Sequence, residues 1–239
     1  MLTFVCWKWH QPGCRSHYTS VHVNTWANMV NRHYHGDKRL ICITDDPKHI
    51  TIETYPLWKD HSTIPNPSGG HLPSCYRRLK IFSSSQQERM GILPGDRIVS
   101  MDLDVVILKE ITPMFEKDFP FVGWKRVSSN PAKPAGYNGS IFMFTAGMFD
   151  YLWDTFDPVE SPRRTRRAKQ FGSDQGWISL HLDGRGPGWT QASGMYSYSS
   201  DIYGRSLQGN ARIVSFNGKH KPWMKMVQNQ NPWIAKHWR

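Results

Sequence analysis

Arg97-Ile98-Val99-Ser100-Met101-Asp102-Leu103-Asp104-Val105-Val106-Ile107-Leu108 is the stretch on which the reading of this chain turns. A run of mostly apolar, β-forming residues follows the turn Leu93-Pro94-Gly95-Asp96 and leads straight into Asp-Leu-Asp. A short apolar run bounded by a turn reads as a buried strand. Residues i and i+2 of an extended segment point the same way, so both carboxylates can reach one cation and one ribose. Mg²⁺ and Mn²⁺ take oxygen ligands, which carboxylates supply. Such an ion bridging two phosphates stabilises a departing nucleoside diphosphate as a Lewis acid. The triplet alone also fits a solvated strand end or a turn. An exposed acidic turn, however, needs no buried flanks, and here Val99 and Val105 to Leu108 supply them.

Residues 2–9 read as a buried first strand. Tyr18 to His33 carries Val21, Val23, Trp26, Met29 and Val30 near helical spacing, and Arg39 to Thr44 is a second apolar run. Strand, helix and strand in this order form a βαβ unit, which implies a parallel sheet. Residues 60–73 are rich in Pro and Gly and read as a loop. A helix capped by Ser74 is predicted through Tyr76, Leu79 and Phe82. Pro120 to Trp124 and Ser140 to Phe144 read as further strands, and Gln175 to Leu182 can be helical. The expected fold is α/β, one domain over residues 1–239 with a mostly parallel central sheet. In such sheets ligands bind beyond the carboxyl ends of the strands, where the acidic pair sits.

The chain has 239 residues, 38% of them hydrophobic and 13% aromatic, which excludes a disordered chain. No stretch approaches the roughly 20 apolar residues that cross a bilayer. The first residues lack a basic start and a small-residue cleavage site, so they read as a strand and not as a signal peptide. Cys6, Cys14, Cys42 and Cys75 lack CxxC spacing and suggest a reduced, cytoplasmic protein. A net charge of +11 points to an anionic partner. A nucleoside diphosphate is one, but nucleic acid or an anionic membrane surface accounts better for so large an excess. The alternative is a generic solubilising surface.

Four blocks in order carry a family resemblance: Arg97 to Phe115, with its acidic pair; Tyr137-Asn138-Gly139-Ser140-Ile141-Phe142-Met143-Phe144; Gly172-Ser173-Asp174-Gln175-Gly176-Trp177; and Ile213-Val214-Ser215-Phe216-Asn217-Gly218-Lys219-His220-Lys221-Pro222-Trp223. Together they resemble the glycogenin-like (family 8-like) nucleotide-sugar glycosyltransferases across roughly residues 2–225. The resemblance implies a GT-A fold, a nucleotide-sugar donor with a UDP-sugar first among them, Mn²⁺ or Mg²⁺, and retention at the anomeric carbon. By position it implies that Asp102 and Asp104 hold the metal. Asn138 and Asp174 would face the sugar with Gln175 beside it, and Lys221 would meet the diphosphate. Trp7, Lys8 and Trp9 would lie near the base. Arg77, Arg78 and Lys80 are candidates for phosphate or ribose contacts. The family's last block opens on a metal-binding histidine where this chain has Ser215, so the third metal ligand is not identified; Asn217 and His220 lie nearby.

The bland readings compete. Asp174 can instead cap a helix, and Lys221 can be a surface lysine. Pro162-Arg163-Arg164-Thr165-Arg166-Arg167-Ala168-Lys169 holds five bases and no acid. Arg163, Arg164, Arg166 and Arg167 can form a clamp for acceptor phosphates, or simply a solvated charge run. Charge and arginines together suggest double-stranded DNA as acceptor, for instance hydroxymethylated bases of the kind phages glycosylate. A lipid-linked or surface glycan is a second acceptor class. A non-catalytic nucleic-acid-binding protein explains the charge but not the four blocks, and Ser215 keeps open an inactive transferase.

Overall fold

The computed structural model describes residues 1–10, 16–66, 74–125, 135–170, 172–183 and 186–239. β1 (Leu2–Lys8) is buried throughout and pairs parallel with β2 (Lys38–Thr44) on one side and β4 (Arg97–Met101) on the other. β3 (Glu53–Pro56) extends the sheet in parallel beyond β2. β7 (Tyr137–Thr145) runs antiparallel between β4 and β6 (Phe121–Lys125), and β8 (Gly188–Trp189) adds in parallel to β6. The order is β3-β2-β1-β4-β7-β6-β8. Four of six pairings are parallel, so the expected α/β fold with a mostly parallel sheet is present.

A strand covered on both faces needs apolar residues at every position, not at alternate ones. β1 shows this directly. Phe4 and Cys6 join the core on one face, with Trp26, Met29 and Val30 of α1 (Ser20–His33). Val5 and Trp7 join the core on the other, with Leu79, Phe82 and Trp177. Each large apolar side chain buried this way contributes about 1.5–3 kcal/mol. α1 starts at Thr19, whose backbone N–H donates to His22 Nδ1 at 2.8 Å, in the manner of a capping box.

The segment before the acidic pair differs from expectation. It is a tight 3₁₀ turn over Tyr76–Phe82 with Cys75 as its cap, not a helix capped by Ser74. The physical reason is a distant partner: the Cys75 N–H donates to Ser173 Oγ at 2.8 Å, which satisfies the first orphan amide. After it come α2 (Ser84–Arg89) and β4. β7 starts three residues earlier than the apolar run suggests, because Tyr137 and Asn138 pair with Lys125 and Trp124 across a bulge.

A second sheet anchors the acidic pair. β5 (Val105–Ile107) pairs antiparallel with β10 (Ile213–Ser215), which pairs in parallel with β9 (Met195–Ser197). Asp102 to Asp104 is the bend between the two sheets, not a continuous strand. Its ends are pinned: Asp102 N–H donates to Ser140 O, and Phe216 N–H donates to Asp104 O, both at 2.8 Å. α3 (Thr112–Phe115), α4 (Tyr151–Asp154), α5 (Glu160–Arg167), α6 (Asp174–Leu182), α7 (Lys225–Gln230) and α8 (Pro232–His237) complete the fold. Among the described residues no helix is long and apolar enough to cross a membrane. Cys6, Cys42 and Cys75 are free thiols, and Cys14 lies outside the described residues.

Candidate functional site

The chain order reverses between β1 and β4, and a cleft of about 370 Å³ opens beyond their carboxyl ends. This is where open α/β sheets bind ligands. Trp7 and Trp9 line one wall and Asp102 with Asp104 the floor. Asn138 of β7, Asp174 and Gln175 of α6, and Asn217 with Lys221 after β10 complete it. Residues far apart in sequence meet here because two sheets and one helix start converge on the bend.

Arg78 organises the floor. Its side chain is 8% exposed, and its guanidinium pairs with Asp102 Oδ1 at 2.6 Å and with Asp174 Oδ2 through Nε at 2.7 Å and Nη2 at 2.6 Å. Charge-assisted contacts with a planar fork are the strong kind. Burial works against the guanidinium, but the Asp174 and Asp102 charges hold its pKa well above the ordinary value. The Asp174 carboxyl is raised by burial, with Arg78 opposing. Lys221 Nζ makes a close ion pair with Asp104 and donates to Phe216 O at 2.9 Å. The Asp104 carboxyl is raised by burial, with Lys221 opposing and Asp102 adding to the rise.

Tyr18 also stands in this wall, and neither motif nor spacing singles it out. Burial pushes its phenol well up, and the Asp104 and Asp102 charges push further, so it is a neutral hydroxyl facing the acidic pair. Trp7 is fixed by its indole N–H, which donates to Ser100 Oγ at 3.0 Å, and packs edge-on against Trp58. Trp9 lies under the Arg77 guanidinium, 5.3 Å from the ring centre. Lys8 does not line the cleft. Alternation along β1 sends it the other way, where Nζ donates to Asp46 O at 2.8 Å. Lys80 also turns aside, pairing with Asp60 at 2.7 Å.

Asn138 Oδ1 accepts from the Ser140 N–H, and Gln175 Oε1 accepts from the Gly139 N–H, both at 2.9 Å. These bonds lock both side chains beside Asp174. Asp174 is the first residue of α6, and Ser173 is the cap, so the capping alternative for Asp174 does not describe it. Ser215 is buried and donates to Ser140 Oγ at 3.1 Å. Among the described residues no cluster of three His, Cys, Asp or Glu side chains is arranged to hold a metal ion. The donor set at the floor is therefore two carboxylates, all oxygen, of the kind hard divalent cations accept alongside ligand phosphates and water.

The four arginines stand on α5, exposed, and none lines the cleft. Arg163 and Arg167 pair with Glu160 at 2.6 and 3.5 Å. Arg164 lies over the Trp177 ring at 5.4 Å. Arg166 acts at longer range on Tyr76, whose phenol is pushed up by burial and by Asp174 and eased by that arginine.

No protein-family model matches the chain, and no curated protein is detectably similar to it. Solved structures are similar in fold. The galactosyltransferase LgtC, in complex with donor and acceptor sugar analogs, aligns over 98% of this chain and 96% of its own at 11% identity and a TM-score of 0.61. An active-site mutant of LgtC aligns over 98% and 95% at 12% identity and a TM-score of 0.60. The glycosyltransferase GlyE of Streptococcus pneumoniae TIGR4 aligns over 99% of this chain but only 60% of its own, at 11% identity and a TM-score of 0.59. The fold is thus that of GT-A glycosyltransferases.

Proposed function

We propose that the protein transfers a sugar from a nucleotide-sugar donor, a UDP-sugar first among candidates, with retention at the anomeric carbon. The observation that carries this reading is the convergence of Asp102, Asp104, Asp174 and Lys221 with Arg78 in one cleft at the sheet's switch point. The similar structures being glycosyltransferases supports it.

Trp7 and Trp9 offer aromatic faces for the base at the end of β1. Asp102 and Asp104 would hold Mn²⁺ or Mg²⁺, which supplies Lewis-acid neutralisation of the leaving diphosphate. Ser215 has no part in that shell, since its hydroxyl is committed to Ser140. Lys221 adds an ammonium beside the same phosphates, preorganised by Phe216 O. Asp174 faces the sugar with its carboxylate clamped by two Arg78 N–H groups. That clamp fixes the carboxylate in place, where it can attack the anomeric carbon or stabilise positive charge on it. Gln175 and Asn138, locked by backbone amides, orient the sugar.

The acceptor follows a separate observation. The exposed Arg163, Arg164, Arg166 and Arg167 on α5, which packs against α6, together with the net charge of +11, favour an anionic acceptor, with modified bases of double-stranded DNA as one candidate. If phosphates are contacted, affinity for duplex DNA falls steeply with salt and falls again when the four arginines are replaced by glutamine. Salt-independent binding removes that acceptor.

The test of the transfer reading is release of nucleoside diphosphate from a panel of UDP-, GDP- and CMP-activated sugars with Mn²⁺ or Mg²⁺, repeated with Asp104→Ala. Turnover that survives Asp104→Ala, or no turnover and no binding of any donor, overturns it. Proton NMR of the first-formed product distinguishes retention from inversion.

A further inference from the structure

On the rim of the cleft, two short segments pack face to face. Residues 198–203 follow β9, and residues 216–221 follow β10 and end on Lys221. Tyr198 stacks on Phe216 at 4.4 Å between centroids and 17° between planes. Ser199 and Ser197 hydroxyls both donate to Asn217 Oδ1, at 3.4 and 3.3 Å. Tyr203 stacks on His220 at 4.6 Å and 20°. One face of the Tyr203 ring is therefore covered by an imidazole, and Tyr198 lies across from it at 6.0 Å and 63°, yet the residue is 52% exposed.

The backbone that presents this ring is unusual. Tyr198–Ile202 is a single π-helical turn, closed by Tyr203 N–H donating to Tyr198 O at 2.7 Å. Ser197 Oγ caps it, and the Ser197 N–H donates to Asp201 Oδ2 at 2.7 Å. π turns are rare and concentrate at functional sites, because the extra residue re-aims a side chain at the expense of regular packing. Here the re-aimed side chain is an exposed tyrosine beside the wall that Asn217 gives to the cleft. Ser199 is exposed next to it, and the Asn217 amide nitrogen donates to no group among the described residues.

We infer that the Tyr203–His220 stack is a subsite for a pyranose ring of a carbohydrate acceptor. A pyranose presents a C–H face, which suits the flat face of a tyrosine, and a rim of hydroxyls, which suits the Asn217 amide and the Ser199 hydroxyl. Asn217, three residues before His220, lines the donor cleft, so a ring bound on the stack would lie on the side of the molecule that leads to it. Apolar stacking with a few convergent polar groups is the pattern of small-ligand sites. The acceptor class named here rests on the transfer reading; the sugar-binding face itself does not. Among the anionic acceptors that the basic surface favours, it points to a glycan rather than duplex DNA.

Saturation-transfer difference NMR tests the subsite with lactose, maltose, cellobiose and chitobiose as probes. At least one disaccharide is expected to show enhancements concentrated on the C–H protons of one ring face. Its apparent Kd should rise about tenfold or more in Tyr203→Ala, the order of one lost aromatic stack. Tyr203→Phe, which keeps the ring, should bind like wild type. No enhancement with any of the four, or equal binding by Tyr203→Ala, overturns the proposal. So does displacement of the sugar by a short oligothymidylate with the same dependence on Tyr203, which would make the face a base-stacking platform. Calorimetry of wild type with UDP-sugars separates the two readings. Disaccharide binding without donor binding leaves the subsite and removes the transferase; donor binding without disaccharide binding does the reverse.

Discussion

Replacing Arg78 with methionine removes the cation that two carboxylates share. Asp174 is 4% exposed at its side chain and loses two charge-assisted N–H contacts at 2.6 and 2.7 Å. Stranding one partner of a buried pair costs about 3–5 kcal/mol. Asp102, 26% exposed at its side chain, keeps water and adds about 0–1 kcal/mol. The expected loss is therefore about 4 kcal/mol, a large part of the roughly 5–15 kcal/mol that holds a folded protein together. For a chain of this length each kcal/mol lowers the melting temperature by about 2–4 °C, so a drop of roughly 8–16 °C is expected. The assay is guanidinium denaturation followed by tryptophan fluorescence, with a double-mutant cycle through Asp174→Asn. If the pair is real, Arg78→Met in the Asp174→Asn background costs much less, because no buried charge is left uncompensated. A single mutant within about 1 kcal/mol of wild type, or two mutations whose effects simply add, refutes the reasoning.

Lys221→Met should lower the turnover number of donor cleavage by about 10²–10³, the order of one lost electrostatic donor at a developing charge; an unchanged kcat would make Lys221 a purely structural partner of Asp104. Gly172 has φ +82°, and an added Cβ would stand 2.5 Å from Gln175 Nε2. Gly172→Ala should therefore cost about 1–3 kcal/mol in equilibrium denaturation and displace Gln175, and wild-type stability would contradict that geometry. His22, His61 and His181 have their pKa values lowered by burial in the folded state. At these sites the unfolded chain then binds more protons, so their contribution to stability is full above about pH 6.5 and is lost as pH falls below it, while the raised Asp104 and Asp174 carboxyls work the other way. Melting temperatures between neutral and mildly acidic pH check this, and a flat profile counts against it.

The architecture was readable because its main determinant is local. The apolar runs of β1, β2 and β4 and the stripe of α1 report their burial directly through residue type. The antiparallel entry of β7 and the small second sheet were not readable, because strand direction depends on partners and not on composition. At the site, the Asp-Leu-Asp signal located the floor of the cleft. What joins the floor to its walls was hidden: Arg78 reaches Asp174 across 96 positions and Lys221 reaches Asp104 across 117. Lys8 shows the opposite limit. It stands between two cleft-lining tryptophans, and only strand alternation, not adjacency, decides that it turns away. Tyr18 carried no signal at all, since a tyrosine before a helix is unremarkable until the acidic pair is placed beside it.

The bond from Phe216 N–H to Asp104 O, beside the β5–β10 pairing, has a consequence for how the protein folds. β1, β2 and β4 can pair with one another before the residues from 213 onward have joined them. The acidic bend would then lack both its backbone clasp and its ammonium. Completion of the cleft therefore waits on contacts such as Lys221 with Asp104, made across 117 positions, and binding competence reports that β10 and the segment up to Lys221 have docked.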